Sequence, residues 1–74
     1  MIKKEIKEQI ENIIKIIDRK IYKGINKENK IYILELKELL NTMIKELDEN
    51  KIDEKDIEKI KIYINILESS ILNM

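Results

Sequence analysis

The chain has 74 residues, 15 Lys and Arg balanced by 15 Asp and Glu, and no cysteine, histidine, tryptophan or proline. That length makes one domain, spanning residues 1–74, near the lower size limit for folding without cross-links. The missing cysteines and histidines exclude disulfides, thiolate or imidazole metal sites, and any histidine-activated nucleophile.

A cysteine-free chain fits a reducing cytoplasm, the expected location. The longest apolar run, Ile31-Tyr32-Ile33-Leu34, falls far short of the roughly 20 residues a membrane span needs. The opening MIKKEIKEQI is charged and periodic, without the apolar stretch of a secretory leader. No membrane association is therefore expected.

Turn signals occur in two places only, KGINKEN (23–29) and DENKIDEKD (48–56), so the chain divides into three segments. The first places Ile2, Ile6, Ile10, Ile13, Ile14, Ile17 and Ile21 at spacings of three and four, the helical period. This predicts a helix over 2–22, ended by Gly24 in a left-handed conformation. A second helix over 27–49 is predicted to start at an Asn26 cap. Its buried face is Tyr32, Ile33, Leu36, Leu39, Leu40, Met43, Ile44 and Leu47, and Asn50 ends it as Gly24 ends the first.

The third, over 53–73, has the clearest start. Asp53 is placed to accept from first-turn amides, Glu54 and Asp56 suit the helix dipole, and Ile52 and Ile57 are spaced as a hydrophobic staple. Its expected buried face is Ile57, Ile60, Tyr63, Ile64, Leu67 and Ile71. Residues 59–66, KIKIYINI, alternate like a strand, but the helical stripe runs the whole segment and no sheet partner is evident. The predicted architecture is all-α, an antiparallel three-helix bundle.

Charge is unevenly spread. Residues 19–32 hold Arg19, Lys20, Lys23, Lys27 and Lys30 against Glu28 alone, together with Tyr22 and Tyr32. Residues 33–58 are acidic, with Asp48, Glu49, Asp53 and Glu54 around the second turn. In an up-down-up bundle these turns lie at opposite ends, so zero net charge hides a basic and an acidic pole. Helix dipoles account for Arg19, Lys20 and Lys23 at a C-terminus and for Asp53 to Asp56 at an N-terminus. They leave Lys27, Lys30, Asp48 and Glu49 unexplained, each standing against its dipole. A functional basic pole would hold a nucleotide-like anion, with Tyr22 or Tyr32 stacking on a base. Neutral overall charge and a single arginine argue against general nucleic-acid binding.

Some apolar residues fall off the core stripes. At about 100° per residue, Ile31 and Leu34 lie opposite the stripe of the second helix, Ile62 and Ile66 lie off that of the third, and Ile16 and Tyr22 stray in the first. Such pairs suit a partner helix or a homodimer surface.

Catalytic chemistry finds no inventory. Thr42, Ser69 and Ser70 are hydroxyls without a base. Residues 48–59 fail as a calcium loop, with Ile52 at position 5, Asp53 at position 6 where glycine belongs, and Lys59 at position 12 where glutamate belongs. No cofactor or metal is expected, and the chain is expected not to be an enzyme.

The expected function is a small protein–protein interaction module working through Ile31, Leu34, Ile62, Ile66, Asp48, Glu49, Asp53 and Glu54. The bias to Ile, Lys, Asn and Glu suits an AT-rich genome. It suggests a phage or mobile-element accessory protein inhibiting a host enzyme or defence complex, as anti-CRISPR proteins do. The alternatives are an anion-binding oligomer using the basic turn, and a purely structural dimerisation module.

Overall fold

The computed structural model describes residues 2–74. Three helices follow in order, α1 (Ile2–Lys23), α2 (Lys27–Asp48) and α3 (Glu54–Leu72), each within a residue of its predicted bounds. Residues 59–66 are helical throughout. Isoleucine in a helix costs at most about 0.7 kcal/mol of propensity. Burying it is worth about 1.5–3 kcal/mol, so the buried stripe overrides the strand-like alternation.

The turns take the geometry their residues announce. Gly24 has φ +92°, and its N–H donates to the Lys20 and Ile21 carbonyls at 3.1 and 3.2 Å, closing α1 with a left-handed cap. At the end of α2, Asn50 has φ +56°. The Lys51 N–H reaches the Glu46 carbonyl at 3.0 Å and the Asn50 N–H the Leu47 carbonyl at 3.2 Å, the paired bonds of a Schellman motif. Asn26 caps α2, its side-chain oxygen accepting from the Asn29 N–H at 2.8 Å. Asp53 occupies the cap position of α3, but its side chain makes no capping hydrogen bond, contrary to expectation; only its carbonyl closes the first turn, accepting from the Asp56 N–H at 3.0 Å.

The core is entirely aliphatic. Ile6, Ile10, Ile13 and Ile17 of α1 meet Ile33, Leu36, Leu40 and Leu47 of α2 and Ile57, Ile64, Leu67 and Ile71 of α3. No polar side chain is buried among the described residues. Ile14, Ile21, Met43, Ile44, Ile52 and Ile60 pack around this centre half-buried. Ile16, expected to stray, joins them. The side chain of Ile2, expected on the core stripe, lies outside the described residues.

Three expected core residues are not buried. Tyr32, Leu39 and Tyr63 stay 45, 43 and 43 % exposed. The cause is the way the helices are shared. α1 packs against both α2 and α3, whereas no Cα of α2 comes within 8 Å of a Cα of α3. The seam between α2 and α3 is therefore wide, and these three residues stand on the helix edges that border it.

Candidate functional site

α1 is anchored to its neighbours by polar contacts whose sides fix the rotation of each helix. On α2, the Lys37 ammonium pairs with Asp18 at 2.6 Å and Asp48 with the Lys7 ammonium at 2.9 Å. Lys3 also donates to the Asn50 side-chain oxygen at 3.2 Å. On α3, the Gln9 amide donates to the Asn65 side-chain oxygen. Donation to Asp48 and attraction to its carboxylate raise the Lys7 ammonium above its ordinary 10.5, with Glu11 adding a smaller effect and desolvation opposing it.

These contacts place the acidic turn differently from its sequence. Antiparallel packing returns the start of α1 to the end of α2, so Lys3, Lys4 and Lys7 share a depression of about 320 Å³ with Leu47, Asp48 and Asn50. Glu49 pairs with Lys51 at 2.9 Å. Asp48, which the helix dipole disfavours, thus has a cross-helix cation as its reason. Asp53 and Glu54 remain exposed at the start of α3 and take no ion pair among the described residues.

The basic turn does not converge as one group. Arg19, Lys20 and Lys23 gather with Ile16 and Leu72 around a depression of about 310 Å³ between the ends of α1 and α3. Lys27, Lys30, Tyr22 and Tyr32 do not line it. Tyr22 is 93 % exposed on the outer side of α1, and Tyr32 belongs to the α2–α3 seam.

The two off-stripe apolar pairs are exposed: Ile31 and Leu34 on the back of α2, Ile62 and Ile66 on the outer side of α3. Ile31 and Leu34 line a shallow depression of about 440 Å³ with Glu35, Lys37, Glu38 and Asn41, an apolar centre inside a charged rim. Among the described residues no group of three or more carboxylates is placed to hold a metal, and no helix is long and apolar enough to cross a membrane. Sequence reasoning missed Leu39 and Tyr63 as surface residues. The available signal was their position at the edge of the apolar arc, where burial depends on how close the next helix comes.

Compared with family models, with curated proteins and with solved structures, the chain matches none of them.

Proposed function

We propose that this chain is a small non-catalytic interaction module that presents the back of α2 to a groove on a protein partner. The observation carrying this reading is the Ile31/Leu34 pair. Two large aliphatic side chains three residues apart lie exposed on a helix face with Glu35, Lys37 and Glu38 around them. Apolar anchors at helical spacing inside a polar rim are what a helix-in-groove contact needs. Ile62 and Ile66 on α3 are exposed as well, with Asp53 and Glu54 more than two turns before them at the start of that helix. The narrower form of the proposal is a phage or mobile-element inhibitor of a host enzyme or defence complex, and the identity of the partner decides it. A tagged pull-down from nuclease-treated bacterial lysate tests the reading. One stoichiometric protein should be retained by the native chain and lost with Ile31→Asp/Leu34→Asp. A purified partner whose affinity is the same for both chains would refute it.

A second reading rests on the Arg19, Lys20 and Lys23 cluster. Three cations around one depression suit a phosphate-bearing ligand such as a nucleotide. Binding to the folded state would raise the melting temperature, and Lys23→Glu should abolish the rise. No response across a nucleotide panel would remove this reading.

A further inference from the structure

The open side of the α2–α3 seam has its own logic, independent of the Ile31/Leu34 face. Heights along the bundle follow from the helix ends. Leu39 lies nine residues before α2 ends at Asp48, and Tyr63 lies nine residues after α3 begins at Glu54. At a rise of about 1.5 Å per residue, the two stand level. Rotation follows from the contacts with α1. At about 100° per residue, Tyr32 and Leu39 lie about 140–180° around α2 from Lys37 and Asp48, which pair with α1. Tyr63 lies about 160° around α3 from Asn65, which is bonded to Gln9 of α1. Both sets therefore line the side of the molecule away from α1, where Ile66, about 100° around α3 from Asn65 and about three-fifths exposed, continues the apolar surface across α3.

We infer that this face is a self-association surface and that its occupant is a second copy of the chain. Its four apolar side chains, Tyr32, Leu39, Tyr63 and Ile66, expose on the order of 400 Å², within the range of the largest patch a monomer leaves bare. With flanking polar residues this approaches the ~800 Å² per partner of a stable interface. A domain of this size, with a core of Ile and Leu alone, is also one that gains from oligomerisation.

The rims say which occupant. Glu28, Glu35 and Glu46 run along the α2 edge of the face, and Lys55 and Lys59 stand in the first turns of its α3 side. None has an ion-pair partner among the described residues. One chain thus carries both halves of a complementary pair. A two-fold axis parallel to the helices sets α2 of one copy against α3 of the other, so Glu46 meets the lysine pair, while Glu35 and Glu28 stand about 12 Å or more further along the axis. Glu46, two residues before the end of α2, then falls between the levels of Lys55 and Lys59 of the second copy, one and five residues into α3. A two-fold across the helices would instead set α2 on α2 in reverse, bringing Glu46 of one copy onto Glu28 of the other, which costs affinity. The dimer is therefore an antiparallel four-helix layer of α2 and α3 from each copy, with each α1 on an outer surface.

Sedimentation equilibrium across the micromolar range tests this. The native chain should run as a dimer, and Leu39→Glu should weaken association about tenfold or more while keeping native helical circular dichroism. A monomer throughout, or a dimer indifferent to Leu39→Glu, would overturn the proposal. Cysteine pairing tests the arrangement on exposed positions in a chain that has no cysteine of its own, so it decides even if Leu39→Glu unfolds. Mixed Glu46→Cys and Lys59→Cys chains should cross-link to each other faster than either does to itself, and faster like-with-like bridging would refute the axis. Leu34 stands about 140° around α2 from Leu39, so Leu34→Asp should leave the dimer mass unchanged. That separates failure of this surface from failure of the proposed partner face.

Discussion

Gly24 and Asn50 do the same work with different side chains. Both hold left-handed backbone at a helix end, where a β-carbon costs roughly 1–2 kcal/mol for residues other than Gly, with Asn the mildest exception. The space a β-carbon would enter at Gly24 is open, with nothing within 4 Å, so the whole penalty of Gly24→Ala is in the backbone. We expect Gly24→Ala to lose about 1–2 kcal/mol in urea unfolding, with no change in helix content. Lys7 makes a pH prediction. Its ammonium is raised above the ordinary 10.5 by Asp48, so the folded state holds this proton more tightly than the unfolded one. The resulting stabilisation is complete below 10.5 and disappears as pH climbs through the raised value. Melting temperatures followed upward from pH 9 should fall more steeply for the native chain than for Lys7→Met, and parallel curves would show that the pair contributes nothing.

Helix by helix, the caps divide unequally. Asn26 makes its capping bond to Asn29 and Asp53 makes none, although both residue types are good caps in principle. Asn26→Ala should therefore cost about 1 kcal/mol, and Asp53→Ala clearly less, losing only a favourable charge near the helix dipole. Equal losses in paired denaturant titrations would contradict the geometry. Adjacent residues of α2 make the companion test. Leu40 is fully buried while Leu39 is 43 % exposed, so Leu40→Ala should cost about 2–5 kcal/mol as a core truncation. Leu39→Ala should cost far less under conditions where the chain is monomeric. The paired titration of Leu39→Ala and Leu40→Ala thus also locates the edge of the core along α2.

Seen whole, the molecule measures 37 × 20 × 16 Å, and its long axis is close to the ~33 Å of a 22-residue helix. Each helix thus spans the body, and every turn lies at a pole. Neighbours along the chain dictate three helices, their bounds to within a residue, the left-handed ends at Gly24 and Asn50, and the isoleucine stripe of α1. A helical period and a turn residue act over a few positions, so they are legible without knowing the fold. The exposure of Ile31, Leu34, Ile62 and Ile66 was legible for the same reason, since a residue opposite a stripe cannot join the core that stripe faces. Whatever depends on the distance between helices is settled by packing alone. Tyr32, Leu39 and Tyr63 have core-like spacing but lie at the arc edge, where burial requires the next helix to approach, and α2 and α3 both close on α1 instead. Asp48 has no partner in its own segment, yet it meets Lys7 because antiparallel packing folds the start of α1 back onto the end of α2. The five cations of the first turn are close in sequence, but rotation around two different helices sends Arg19, Lys20 and Lys23 to one depression and Lys27 and Lys30 elsewhere. Periodicity fixes which side of a helix a residue occupies; only packing fixes what stands across from it.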